Sequence, residues 1–190
     1  MYFIDLFIKK RIKAIQKGDQ NAYADLVDLY KDKIYRLCYR MLGNRHEAED
    51  AAQEAFIRAY IHIDTYNPEM KFSTWLYRIA TNLTIDKLRK RKPDVYLDEE
   101  VGGTDGLTMQ AQLPSREASP EEAVESLELQ ETVQRAIEQL PEKYRSVIVL
   151  KYMEDLSLQE ISEILGLPVG TVKTRLHRGR EALRRQLGHL

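Results

Sequence analysis

SLQEISEILGLPVGTVKTRLHRGREALRRQL, residues Ser157–Leu187, reads as a short helix, a glycine-containing turn and a longer basic helix. Ser157 with Glu160 three residues on makes a capping box, Gly166 supplies the turn and Pro168 stands at the entry of the second helix. This is the sequence form of a helix-turn-helix DNA reader. On a 100° wheel the second helix gathers Val172, Leu176, Leu183 and Leu187 on one side with Gly179 near them, a face that packs inward. The opposite side carries Lys173, Thr174, His177, Arg178, Glu181 and Arg185. Side chains near the N-terminal half of such a helix reach base edges, so Lys173, Thr174, His177 and Arg178 are the candidates for direct readout. Arg175, Arg184 and Arg185 suit phosphates. The plainer alternative is a solvated basic face.

Charge supports the DNA reading once the chain is divided. The formal net charge of -1 over 190 residues conceals a segregation. Residues 1–92 carry 18 Lys+Arg against 12 Asp+Glu, residues 93–126 carry 1 against 9, and residues 127–190 carry 10 against 9. Around the last helix Lys173, Arg175, Arg178, Arg180, Arg184 and Arg185 face Glu181 alone, so the local field is positive where a DNA reader needs it. The lone Cys38 sits among apolar neighbours at helical spacing and reads as a reduced core thiol. The apolar start MYFIDLFI is interrupted by Asp5 and has no basic region before it, so neither a signal peptide nor a membrane span is expected. A cytoplasmic location follows as the expectation.

Helical periodicity dominates, and no alternating run is long enough for a sheet, so the expected fold class is all-α. After a short N-terminal helix, Gly18-Asp19 punctuates the start of a long one. Its apolar stripe is Leu26, Leu29, Ile34, Leu37 and Met41, and Gly43 is its stop. Asn44 with Glu47 opens a helix running to about Ile63, and Tyr66-Asn67-Pro68 breaks the chain. Ser73 then caps a helix from Thr74 into the KLRKRK run, ended by Pro93. Residues 93–119 lack helical period, are acidic and hold three glycines, the composition of a flexible linker. Ser119-Pro120-Glu121-Glu122 starts a new helical unit that continues to Leu140, and Pro141 opens a further helix to about Met153. The expected organisation is two small helical domains, 1–92 and 120–190, joined by an acidic linker, 93–119.

Two faces of the first domain carry chemistry. The helix after Ser73 places Trp75, Arg78, Asn82 and Arg89 in one stripe, with Leu76, Ile79, Ala80 and Leu83 on another. An aromatic ring, an amide and cations along one line suit stacking on unpaired bases and contact with a single-strand backbone; Trp75 fits a core position equally well. The helix from Asn44 buries Ala48, Ala52, Ala55, Phe56 and Ala59 and shows Asp50, Gln53 and Glu54 beside Ile57 and Ile61. Carboxylates mixed with exposed isoleucines repel nucleic acid but suit a protein partner. His46, His62, His177 and His189 have no metal-ligand spacing, and neither a glycine-rich phosphate loop nor a nucleophile elbow is present. An intrinsic enzymatic activity, a metal site and a cofactor are therefore not expected.

The blocks GNRHEAEDAAQEAFIRAY, KFSTWLYRIATNLTIDKLRKRK and LPEKYRSVIVLKYMEDLSLQEISEILGLPVGTVKTRLHRGREAL resemble, in order and spacing, regions 2 and 4 of the extracytoplasmic-function sigma factors of bacterial RNA polymerase. The resemblance implies a protein that binds core RNA polymerase, directs promoter-specific initiation, serves a cell-envelope stress regulon and is held by an anti-sigma factor, often membrane-anchored. It implies that Asp50, Gln53 and Glu54, with Ile57 beside them, dock on the beta-prime clamp helices, and that the second domain meets the beta flap. It implies that Asn82 helps hold a base flipped from the melted minus-10 element, surrounded by the Tyr66–Lys71 loop with Asn67 and Lys71, and that Trp75, Arg78 and Arg89 lie along the same strand. Lys173, Thr174, His177 and Arg178 match positions facing the minus-35 element, although His177 departs from the apolar or aromatic residue of some relatives. The acidic linker matches the segment that threads the polymerase cleft. The reading from another class is a stand-alone helix-turn-helix regulator, with residues 1–92 as a dimerisation or sensor unit.

Overall fold

The computed structural model describes residues 2–91 and 120–188. Asp19 begins the longest helix, α2 (Gln20–Leu42), after the shorter α1 (Tyr2–Ile15). Its carboxylate accepts from the N–H groups of Asn21 and Ala22 at 3.0 and 3.3 Å, satisfying donors that the first turn leaves open. The helix stops at Gly43, whose φ of 70° and N–H bond to the Tyr39 carbonyl are those of a left-handed C-cap. α1 buries Ile8, Ile12 and Ile15 against α2 and is tied to it by Arg11–Asp25 at 2.9 Å.

Asn44 caps α3 (Arg45–Ile61) through the Glu47 N–H at 3.0 Å. Ala48, Ala51, Ala52, Ala55 and Ala59 are buried, and these small side chains let α3 lie close on α2. α3 ends two residues before the expected Ile63, which opens a 3-10 turn, Ile63–Thr65. α4 spans Phe72–Arg91. It starts earlier than the expected Thr74, so Ser73 lies in its first turn and is not its cap. Leu29 also differs from expectation: it is exposed, while Tyr30 beside it is buried against Phe72 with ring centroids 5.6 Å apart.

The second half comprises α5 (Pro120–Gln139), α6 (Glu142–Ile148), α7 (Leu158–Leu165) and α8 (Val169–Leu187). Pro141 opens α6 as expected, but the helix continues only as a π turn, Val149–Met153. Asp155, two residues on, has φ +50°, an uncommon value for a residue with a side chain. No strand occurs among the described residues, so the chain is all-α there. The expected linker lies outside the described residues.

The two halves are not beads on a string. One continuous apolar core runs from Leu26, Ile34, Leu37 and Met41 of α2 through Leu76 of α4 to Ile137, Leu140, Val147, Leu150 and Ile161 of the second half. The joint is made at the C-terminus of α2. Buried Arg145 donates to the Met41 carbonyl at 2.7 Å and to the Leu140 carbonyl at 3.1 Å, and also to that of Glu138. Its burial lowers the guanidinium pKa, an energetic cost that the three carbonyl acceptors offset. Gly43 lies under α5, and its left-handed φ is what demands glycine; a Cβ would meet only the movable carboxylate end of Glu138.

Candidate nucleic-acid and polymerase interfaces

The helix-turn-helix is built as the sequence dictates. Ser157 Oγ accepts from the Glu160 N–H at 3.2 Å and the Glu160 carboxylate accepts from the Ser157 N–H at 3.0 Å, the reciprocal pair of a capping box. Gly166, at φ 64°, ends α7, and Ile161 and Ile164 meet Val172 and Leu176 in the core. Gly179 is buried against α6; a Cβ there would stand 2.9 Å from Ile148 Cγ1, so this glycine sets how deeply α8 seats. That seating leaves Lys173, Thr174, Arg178, Arg184 and Arg185 exposed, with Arg175 and His177 half-buried on the flanks. Thr174 donates back to the Gly170 carbonyl at 3.0 Å, which keeps its oxygen available as an acceptor, and Arg184 pairs with Glu181 at 2.8 Å.

α4 divides its circumference between core and outside. Phe72, Leu76, Ala80 and Leu83 are buried, whereas Arg78, Asn82 and Arg89 are exposed. Trp75 takes a middle course. Half-buried, it lies 5.4 Å from the Tyr66 ring and 5.6 Å from Phe72, so it walls the loop that precedes α4 while keeping an outer edge. Within that loop Asn67 Oδ1 accepts from the Glu69 N–H at 3.0 Å and Tyr66 donates to the Met70 carbonyl, which makes a compact turn with Asn67 outside.

Two cations of this stripe already hold carboxylates of the other half. Lys71 Nζ lies 2.8 Å from Glu160 Oε1, and Arg89 Nε lies 3.6 Å from Glu142 Oε1. The Lys71 contact, with the Ser157 N–H, depresses the Glu160 carboxyl to about 2, and the same pair raises the lysine. Between them Tyr77 donates to Glu154 at 2.8 Å. Burial pushes the pKa of both Tyr77 and Glu154 up. Sequence reasoning missed these three glutamates as partners of α4. Glu160 already had a role as a cap, and nothing in a linear pattern signals a contact across 89 residues.

On α3 the structure exposes Asp50 and Gln53, with Ile57 at 54% and Ile61 at 65% exposure, an unusual display for isoleucine. Glu54 is half-buried and pairs with Arg58 at 2.7 Å. The face is wider than the sequence pattern suggested: Tyr60 joins the isoleucines, and a cleft between α3 and α4 is lined by Asp50, Glu54, Arg58, Asp86, Lys87 and Lys90. Their convergence from two helices requires the α3–α4 packing and is not visible in either helix alone.

The geometry defines a helical protein with an exposed basic face on α8, an amide-and-cation stripe on α4 and a separate mixed acidic and apolar face on α3. Residues 26–93 match the family model for sigma-70 region 2, and residues 130–183 match that for sigma-70 region 4. The chain is 68% identical over 187 residues to the ECF RNA polymerase sigma factor SigW of Bacillus subtilis, covering 98% of this chain and 100% of that one. The chain therefore belongs to the extracytoplasmic-function (ECF) sigma factors, which are transcription initiation factors and not enzymes, and the stand-alone regulator is set aside. Its fold is similar to that of CnrH, solved in complex with the cytosolic domain of CnrY, at 23% identity and TM-score 0.68 over 97% of each chain. It is also similar to the sigma factor RpoE of Bartonella quintana, solved with the anti-sigma factor NepR, at 18% identity and TM-score 0.61 over 87% of this chain and 96% of that one. Among the described residues no helix is long and apolar enough to cross a membrane.

Proposed function

We propose that this sigma factor reads a two-part promoter with the two faces described above. The observation that carries the reading is the exposure, on two family-matched regions, of one basic helix face suited to duplex DNA and one amide-and-cation stripe suited to an opened strand. Lys173, Thr174, His177 and Arg178 contact base edges of the minus-35 element, and Arg175, Arg184 and Arg185 hold its phosphates. Asn82 receives a base displaced from the minus-10 element while Asn67, Lys71, Arg78 and Arg89 follow the strand and Trp75 walls the pocket. Asp50, Gln53, Glu54 and Ile57 dock on the beta-prime clamp helices of core polymerase, and the region 4 half meets the beta flap. Residues 1–92, 93–119 and 120–190 serve as the minus-10 domain, the linker and the minus-35 domain.

An anti-sigma factor, anchored in the membrane, restrains the protein in the cytoplasm until a cell-envelope stress releases it; what supports an anti-sigma partner is the similarity to a sigma factor solved with the anti-sigma factor NepR. The test is reconstitution. Purified protein added to core polymerase should give run-off transcripts from a randomised promoter library, enriched for one upstream and one downstream element. Asp50→Ala with Gln53→Ala should weaken core binding by about 1–3 kcal/mol without changing helix content, read by fluorescence titration and circular dichroism. Promoter-specific transcripts that never appear, or core affinity that the double variant leaves unchanged, would refute these assignments.

A further inference from the structure

α1 meets the rest of the protein chiefly along one side. On a helical wheel Ile8, Ile12 and Ile15 fall within about 60° of one another, and this buried stripe lies against α2. Leu6, Lys10 and Lys13 take the opposite side, flanked by Phe7 and Lys9, and all five are exposed. Along the axis the outer surface changes character. Its first turns show Ile4 at 54%, Leu6 at 60% and Phe7 at 39% exposure. The turns that follow show Lys9, Lys10 and Lys13, with Lys17 just beyond the helix.

The arrangement narrows the kind of partner. The carboxylate of the helix, Asp5, lies on the flank toward the Tyr66 loop, where burial and then the Asp5 charge raise the phenols of Tyr30 and Tyr66. Arg11 is committed to Asp25 at 2.9 Å, and its guanidinium lies 4.9 Å from the centre of the Phe7 ring. The cations left over are lysines: Lys9, Lys10, Lys13 and Lys17 make no ion pair among the described residues. Lysine is a hydrated point charge on a flexible stem, suited to a diffuse negative field and depleted from protein interfaces. Nucleic acid would supply the field but leave Ile4, Leu6 and Phe7 in water. An anionic bilayer supplies both, headgroup charge for the lysines and an acyl boundary for the apolar turn.

We propose that the outer face of α1 is a docking surface for an anionic phospholipid bilayer, in which Leu6 and Phe7 enter the headgroup–acyl boundary while Lys9, Lys10 and Lys13 meet the headgroup phosphates. The helix lies on the membrane and does not span it, in keeping with its length and its charges. Each lysine near such a surface multiplies binding about fivefold, so three together make a reversible attachment that salt weakens.

Flotation of the full chain with vesicles of phosphatidylglycerol and phosphatidylcholine in equal parts tests the docking. The protein should rise with these vesicles, stay behind with phosphatidylcholine alone, and leave the anionic vesicles at about 0.5 M salt. No flotation with the anionic vesicles would overturn the proposal. Lys9→Gln, Lys10→Gln and Lys13→Gln combined should weaken partition about 100-fold, and Leu6→Ser with Phe7→Ser at least about tenfold. All five positions are exposed, so circular dichroism should show unchanged helix content. Lys173→Gln, Arg175→Gln and Arg178→Gln remove as much charge from α8 and should leave flotation in place. Equal loss from the α8 set would reduce the attraction to overall charge, and flotation indifferent to Leu6 and Phe7 would remove the apolar contact; either result overturns the docking face. Vesicle binding that survives the α1 lysine variant while promoter binding by the holoenzyme falls would overturn it too, and assign α1 to nucleic acid.

Discussion

α8 and α4 are both basic helices, yet they meet solvent on different terms. α8 turns Lys173, Thr174 and Arg178 outward across an unobstructed face, whereas α4 exposes Arg78 and Asn82 but has Arg89, and Lys71 just before it, engaged by glutamates of the other half. The difference has a physical origin. α8 is held from behind, by Val172, Leu176 and Gly179 against α6 and α7, so its seating and its reading face do not compete. α4 is held by region 2 on one side and touched by region 4 on another, so part of its cationic stripe doubles as a protein contact. The basic face of α8 is thus free of the rest of the fold, whereas two cations at the ends of α4 are shared with the second half.

Arg145→Met offers the harshest way to break this comparison. It removes the guanidinium that holds the carbonyls of Met41, Glu138 and Leu140 while keeping an apolar stem of similar length. Buried acceptors without donors cost about 1–3 kcal/mol each, so the urea midpoint should fall by the equivalent of about 3 kcal/mol or more. A loss below about 0.5 kcal/mol would show that the joint between the halves lies elsewhere.

Gly179→Ala probes the other helix. The added methyl meets Ile148 and should cost about 1–3 kcal/mol of overpacking. Duplex affinity in the holoenzyme should drop with it while strand capture on a pre-melted template stays intact. Equal damage to both would mean that the two faces are mechanically coupled. Arg178→Ala should cost about 1–3 kcal/mol at particular upstream base pairs, read by competition among single-substitution promoters. A uniform loss across all sequences would reassign Arg178 to a phosphate.

The gentlest probe is pH. Glu160 is depressed to about 2 in the folded chain from an ordinary 4.5, so its contribution is complete above the ordinary value and disappears as pH falls through that interval. Glu154 is raised, so protonation favours the folded form and its effect has the opposite sign, strengthening the contact as pH drops toward its raised value. Urea midpoints measured against pH should therefore lose, in Glu160→Gln, part of the decline below about 4.5. An unaltered acid limb would separate Glu160 from the stability of the folded chain.

How much of this was legible beforehand depended on whether a signal was local. The caps at Asp19, Asn44 and Ser157, the stops at Gly43 and Gly166, and the alanine face of α3 are written in adjacent residues, and the structure keeps each of them. The stripe of Arg78, Asn82 and Arg89 and the face of Lys173, Thr174 and Arg178 were also visible, because helical periodicity alone decides which side chains share a side. Ser73 failed as a cap because the helix begins at Phe72, whose ring is buried against Tyr30 and Tyr66. Tertiary packing moved that boundary. The joint between the halves left no linear trace: Arg145 reads as one more surface cation in EKYRSVI, and only the fold buries it on the end of a helix 104 residues away.

The π turn at Val149–Met153 gives the second half a phase. A plain α-helix advances each residue by about 100° and 1.5 Å, and the wider turn inserts one such step between Arg145, which grips α2, and Glu154, which meets α4. The two ends of this segment are therefore geared to different partners through a single extra residue. Rewinding that turn into regular α-helix would leave Arg145 in place and swing Glu154 about 100° away from Tyr77. A change of winding would thus release the Glu154–Tyr77 contact while the Arg145 joint stays closed.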